Sequence, residues 1–234
     1  MKGTTRSIEI LIVYYSRFGV LKDIAEEIGI GVLDERGVEI GFLEVEELPL
    51  EEPRPGEDAT AMALRRATTI NRLALADALI VGAPAYFGSP ASPLKRLFED
   101  CATAGNPPVH DRSRPWHLHL FRDKVGAAFS AAATPHGGSE VALQATLTML
   151  MHMGMLIVTP GQGEPILENE ASPYGPTAIA GPDGNRKPTP ADLRAARDLG
   201  RRVARVTTWL SAGRTVWERQ QAGAPQAAGT FARP

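Results

Sequence analysis

The chain has 234 residues, a formal net charge of −2 and 43% hydrophobic residues, the make-up of an ordinary soluble globular protein. A charge this close to zero gives no electrostatic reason to expect nucleic acid or an anionic membrane as partner, and no apolar run approaches the length of a membrane span. Cys101 is the single cysteine, which excludes an intrachain disulfide and fits a reducing, cytoplasmic setting.

Residues 8–15 (IEILIVYY) form a continuous apolar, β-branched run, the pattern of a strand buried on both faces of a parallel sheet. After the short loop Ser16-Arg17-Phe18-Gly19, Val20, Leu21, Ile24 and Ile28 recur at helical spacing, opposite Lys22, Asp23, Glu26 and Glu27. Residues 38–45 read as a second strand, 48–58 as an exposed loop rich in proline and acid, and 59–71 as a helix. Residues 78–83 (ALIVGA) are a third strand running into a turn-rich loop, 84–90, and then a helix over 93–101. Residues 104–115, with three prolines and a glycine, read as an inserted loop. A fourth strand is expected over 125–131, a helix over 140–153 and a fifth strand over 156–158. Residues 159–188 are long, polar and rich in glycine and proline, the composition of a functional or assembly loop. A strong helix over 191–210 follows, and the remainder, 211–234, reads as a flexible tail. Residues 1–210 therefore form one domain.

Five apolar strands alternating with helices imply an open parallel sheet covered on both sides. Its ligand crevice lies at the carboxyl ends of the strands, where the loops after strands one, three and four converge. The first loop opens directly onto a helix, whose first N–H groups lack intrahelical partners and attract a phosphate. Ser16 adds a hydroxyl, and Gly19 lets the backbone come close. The loop has neither the Gly-x-x-x-x-Gly-Lys of a nucleotide triphosphatase nor the Gly-x-Gly-x-x-Gly of a dinucleotide site. In the second loop, Tyr86 and Phe87 stand at a strand tip, where they either wall a planar ring or cap the core. In the third, Thr134-Pro135-His136-Gly137-Gly138 presents backbone amides, either to the edge of a reduced flavin or merely as a turn.

Tyr14-Tyr15-Ser16-x-x-Gly19 resembles the phosphate loop of the WrbA-type NAD(P)H:quinone oxidoreductases, a flavodoxin-like family. Pro84-x-x-Phe87-Gly88 is similar to the family's second flavin loop, and His152-x-Gly154-Met155 to its helix end. The most specific match is Ser172-Pro173-Tyr174-Gly175-x-x-x-Ile179-Ala180-Gly181-x-Asp183-Gly184-x-Arg186-x-Pro188, a block that ordinary flavodoxins lack. The resemblance covers roughly residues 8–210.

The resemblance implies an α/β flavodoxin-like fold with strand order 2-1-3-4-5. It implies FMN as cofactor, NADH or NADPH as donor, a quinone or related small molecule as acceptor, and a cytoplasmic homotetramer, with a dimer as the smaller alternative. The reaction implied is two-electron, ping-pong hydride transfer through the flavin, with no side chain acting as a nucleophile. By position, the cofactor-binding residues fall on Ser16, Arg17, Phe18, Gly19, Val20 and Leu21. The second loop supplies Pro84, Ala85, Tyr86, Phe87 and Gly88. The third supplies Ser130, Ala131, Ala132, Ala133, Thr134, Pro135, His136, Gly137 and Gly138. His152 matches a histidine that reaches the flavin, and Phe18 and Trp116 match two aromatics on the nicotinamide or acceptor side.

There are departures. The third loop has alanines where the family carries hydroxyl side chains, and Phe18 and Val20 stand where the family commonly has Tyr and His. Taken singly, His152 and Trp116 read as ordinary surface or packing residues, and only the resemblance lifts them. His117 and His119, near His110, offer too few ligands for a metal site, and Cys101 reads as a buried, inert thiol. Arg194, Arg197, Arg201, Arg202 and Arg205 read as a solvated or intersubunit face. Two other classes stay open at this point: a flavodoxin-type electron carrier, and a flavin-poor scaffold or regulatory protein with the same fold. Reduction of azo dyes or nitroaromatics is a third possibility within the enzyme class.

Overall fold

The computed structural model describes residues 7–103, 120–163 and 171–223. Strand β1 (Ile8–Tyr14) lies at the centre of the chain's packing. Ile10, Ile12 and Tyr14 pack into one hydrophobic cluster, while Leu11, Val13 and the following Tyr15 pack into another. From Ile10 on the strand is apolar at every residue, which fits only between two covered faces. Each fully buried aliphatic side chain there contributes about 1.5–3 kcal/mol.

The other elements follow in order: α1 (Val20–Leu33), β2 (Val38–Glu44), α2 (Ala59–Leu75), β3 (Ala78–Tyr86), β4 (Ser89–Pro90), α3 (Ser92–Thr103), β5 (Val125–Ala132), α4 (Ser139–His152), β6 (Leu156–Ile157), β7 (Thr177–Ile179) and α5 (Pro190–Gly223). The sheet runs β2-β1-β3-β5-β6, with β4 antiparallel on β3 and β7 parallel on β5. The five strands expected from the sequence thus lie in the expected order, and β4 and β7 are additions to it. Helices α1 and α5 cover one face; Ile70 and Leu73 of α2, Leu94, Leu97 and Phe98 of α3 and Leu150 of α4 cover the other. The sheet order reverses between β1 and β3, the switch point at which such sheets open a crevice.

Helices α1 and α5 approach until their backbones touch. A Cβ on Gly200 would lie 2.0 Å from the Ile28 carbonyl oxygen, and one on Gly31 would lie 2.0 Å from that of Arg197. Arg197 holds both Asp34 oxygens at 3.1 Å, Arg201 reaches the same carboxylate at 2.9 Å, and Arg205 reaches Glu35 at 2.7 Å. Hydrogen bonds from these guanidinium groups bring the Asp34 carboxyl down to about 2. Three of the arginines assigned to a solvated or intersubunit face therefore pin α5 to the end of α1 within one chain.

Three boundaries differ from the sequence expectation by three residues or more, and one of them is the end of α2, which runs past 71 to Leu75. Strand β3 passes through Pro84 and ends at Tyr86, because the chain turns back there as a hairpin. Helix α5 continues to Gly223, beyond the point where a flexible tail was expected to begin at 211. Ala212 and Arg214–Gln221 are acceptable or good helix formers, so only Gly213 interrupts the local preference.

Candidate active site

Three loops and one returning segment meet at the carboxyl ends of β1, β3 and β5. They surround a cavity of about 160 Å³ lined by Ser16, Arg17, Phe18, Val20 and Leu21 from the first loop, Pro84, Ala85 and Tyr86 from the second, Ala131, Ala132 and Ala133 from the third, and Ala180, Gly181, Pro182 and Gly184 from the segment after β7.

The first loop is built to leave N–H groups free. Gly19 caps α1 at φ +91°, in the left-handed region that favours glycine, and space is open where its side chain would stand. Its N–H donates to the Ser16 Oγ at 3.1 Å, which leaves the Ser16 hydroxyl proton directed elsewhere. The first intrahelical bond runs from Asp23 N–H to the Gly19 carbonyl at 3.1 Å, so the N–H groups of Val20, Leu21 and Lys22 precede it without helical partners. Asp23, an acid in this first turn, is met by Lys187 Nζ at 2.7 Å, which offsets a charge that would oppose an anion. Behind the loop, Tyr15 donates its phenolic proton to Glu47 at 2.7 Å, and burial together with that bond pushes the phenol up to about 12.

The segment after β7 closes one side. Its turn runs from Gly181 to Gly184, with the Gly184 N–H bonded to the Gly181 carbonyl at 3.1 Å. Gly184 has φ +76° and sits on the Phe18 ring: a Cβ there would lie 2.6 Å from Phe18 Cδ2. The Arg17 guanidinium carbon is 5.7 Å from the centre of the same ring, within cation–π range. The segment is tied to the sheet by the Ala180 N–H to the Ala132 carbonyl at 2.8 Å and by β7 itself. Ala180, Gly181, Pro182 and Gly184 were absent from the cofactor set read from the sequence; the signal available was the Gly-Pro-Asp-Gly turn inside the family block.

The second loop is tighter than its sequence suggested. Ala85 pairs with Pro90 and Tyr86 with Ser89, leaving Phe87 and Gly88 as a two-residue hairpin turn with φ of +53° and +72°. Both residues in the left-handed region define a type I′ turn, which asparagine and glycine prefer. Phe87 therefore carries backbone strain, and its ring is fully exposed at 107%. Gly88 lies against Gly138 and Val141 at the start of α4, so the second and third loops support each other.

Other predicted residues stand apart from this cavity. Thr134, Pro135, His136 and Gly138 border a second, shallower depression beside Val141 and Thr177. Gly137 closes a turn onto the Thr134 carbonyl at 3.0 Å. Ser130 is buried and turned inward, where its hydroxyl bonds the Ala83 carbonyl at 2.9 Å and locks β5 to β3. His152 ends α4, a 14-residue helix that starts near the third loop. At 1.5 Å per residue it lies about 20 Å down the helix and is exposed, towards the amino ends of the parallel strands. Trp116, His110, His117 and His119 lie outside the described residues. Cys101 is buried, and burial pushes its thiol up to about 12, so it takes no part in chemistry here.

An open helix N-terminus after β1, aromatic and alanine walls at neighbouring strand tips and a sheet of order β2-β1-β3-β5-β6 define a flavodoxin-like α/β protein. Comparison with known proteins narrows the class. Residues 20–163 match the family described as NADPH-dependent FMN reductase. The NAD(P)H dehydrogenase (quinone) of Trichlorobacter lovleyi is 34% identical over 213 residues, spanning 87% of this chain and 99% of its own. That of Methylocella silvestris is 36% identical over 204 residues, spanning 85% of this chain and 96% of its own. A WrbA-like flavodoxin from Agrobacterium tumefaciens superposes with a TM-score of 0.57 at 23% identity, over 87% of this chain and 99% of its own, and so shares the fold. The chain belongs to the NADPH-dependent FMN reductase family.

Proposed function

We propose that this protein is an FMN-dependent NAD(P)H:quinone oxidoreductase. The observation that carries the reading is the cavity whose floor is the open N-terminus of α1 and whose walls are Phe18, Tyr86 and three successive alanines. FMN fits the groups present: its phosphate suits the Ser16 hydroxyl and the N–H groups of Val20 and Leu21, and its flat ring suits apolar walls of this kind. When bound, FMN supplies two-electron transfer between a nicotinamide and an acceptor.

The chain's own work is binding and orientation. The first turn of α1 holds an anion with fixed N–H dipoles that need no reorganisation. Lys187 keeps the Asp23 carboxylate from opposing it. Phe18, held between Arg17 and Gly184, and Tyr86, at the end of β3, frame the open side where donor and acceptor take turns. The third loop works through backbone groups, since its alanines offer no hydroxyl, and Ser130 acts as a strut between strands. No side chain is assigned a catalytic role.

His152 stands too far from its own chain's cavity to reach it. We assign it to the site of a neighbouring copy in a homotetramer, and place the protein in the cytoplasm. Among the described residues, no helix is long and apolar enough to cross a membrane.

The test is steady-state turnover of the purified protein with FMN, NADH or NADPH, and benzoquinone. Flavin capture with rapid, quinone-dependent loss of the reduced nicotinamide supports the reading. Flavin capture without nicotinamide turnover makes the protein an electron carrier instead.

A further inference from the structure

Helix α5 carries its apolar stripe past the end of the domain. Leu199 and Val203 are buried against α1, and Val206 and Leu210 are partly covered. The stripe then continues at helical spacing through Gly213, Val216 and Trp217, where every residue from 212 to 222 is exposed. Trp209 is 65% exposed, Val216 53% and Trp217 60%. The Arg214 guanidinium donates to the Asp123 carbonyl at 2.8 Å and fixes the direction in which the extension leaves the sheet. A helical segment of this length gains little stability in water without a packed face.

Gly213 is the second observation. It lies inside the helix with no left-handed φ, and a Cβ there would meet nothing within 4 Å. Among the described residues, neither a turn nor packing calls for glycine here, which costs about 1 kcal/mol relative to alanine in a helix interior. Gly200, thirteen positions earlier in the same helix, shows what such a residue is used for: its missing side chain lets α1 cross at backbone contact.

The residues around Gly213 are self-complementary. Trp209 and Trp217 lie four positions before and after it, and Leu210 and Val216 three. A two-fold axis through Gly213, with two helices antiparallel, brings Trp209 opposite the copy's Trp217 and Leu210 opposite its Val216. No like charges fall level with each other in this register: Arg214 is level with Ala212, Glu218 with Thr208 and Arg205 with Gln221. A two-fold interface requires such reciprocity.

We propose that the extension of α5 is a homodimerisation surface, in which two copies cross antiparallel at Gly213 and each Trp209 packs on the partner's Trp217. The proposal is independent of the redox reading.

Two measurements on the full chain test it. Gly213→Cys places a thiol on the two-fold axis, and Cys101 is buried and does not compete. With diamide, this variant forms a disulfide-linked dimer at least tenfold faster than Thr215→Cys, whose thiol points to the opposite side of the helix. Trp217→Glu lowers the mass measured by sedimentation equilibrium while the far-UV circular dichroism stays native. Equal cross-linking of the two cysteine variants, or a mass that Trp217→Glu leaves unchanged, overturns the proposal; a face covered instead by residues 224–234 or by a lipid surface gives that result.

Discussion

Gly184 rests on the ring of Phe18, so close that a Cβ on the glycine would lie 2.6 Å from Cδ2. The two residues are far apart in sequence, and their contact joins the loop after β1 to the segment after β7. That segment is the wall that brings Ala180, Gly181 and Pro182 to the cavity.

Gly184→Ala therefore has two effects. Alanine at φ +76° costs about 1–2 kcal/mol of backbone energy, and its methyl group displaces Phe18. Thermal unfolding shifts down by several degrees. Turnover falls on the order of tenfold, in line with the cost of shifting a positioning group by a fraction of an ångström. A lowered melting temperature with unchanged turnover removes Phe18 from the donor side.

Phe87 holds a strained turn position and a fully exposed ring, and nothing among the described residues offsets either. Phe87→Asn suits the type I′ turn and raises stability by about 1 kcal/mol in denaturant titration. The same variant lowers quinone turnover, because strain retained at a site is tied to its use. A variant both more stable and fully active shows that Phe87 serves neither cofactor nor acceptor.

Gly200→Ala tests the seam between α1 and α5. Better helix propensity favours the variant by about 1 kcal/mol. Against this, the new methyl group would stand 2.0 Å from the Ile28 carbonyl oxygen, a backbone atom that cannot rotate away. Overpacking of this kind costs about 1–3 kcal/mol, so the net change in urea unfolding is destabilising.

Asp34 gives the acid dependence. Its folded-state pKa of about 2 lies below the ordinary 3.8. The carboxylate thus stabilises the fold fully above pH 4, and the contribution is lost as pH falls through 2. Wild type exceeds Asp34→Asn in stability at pH 5, and the two converge as pH is lowered from 4 to 2. A difference that stays constant over that window shows that the Arg197 and Arg201 contacts do not depend on the charge.

The sheet was legible in the sequence because buried parallel strands are written as unbroken apolar runs, as in residues 10–15 and 78–83. The geometry of the loop after β1 was legible for a similar reason: a serine and a glycine stand between such a run and a helix. The hairpin at Phe87 was hidden because phenylalanine is a poor residue for its turn, and Pro84 made the strand seem to end early. Ser130 looked like a ligand group, but its direction depends on register with Ala83, which pattern alone does not fix. His152 was placed by resemblance on one site, whereas the length of α4 puts it towards the amino ends of its own strands. The extension of α5 escaped notice because its apolar residues continue a stripe whose partner is not part of the domain.

The central claim is that the first turn of α1 grips the phosphate of FMN. Calorimetric titration with FMN and with riboflavin, which lacks only that phosphate, tests it most directly. Charge-assisted hydrogen bonds from Ser16 and the free N–H groups, at about 1.5–3 kcal/mol each, predict that FMN binds at least ~100-fold more tightly. Equal affinity for the two flavins contradicts the account.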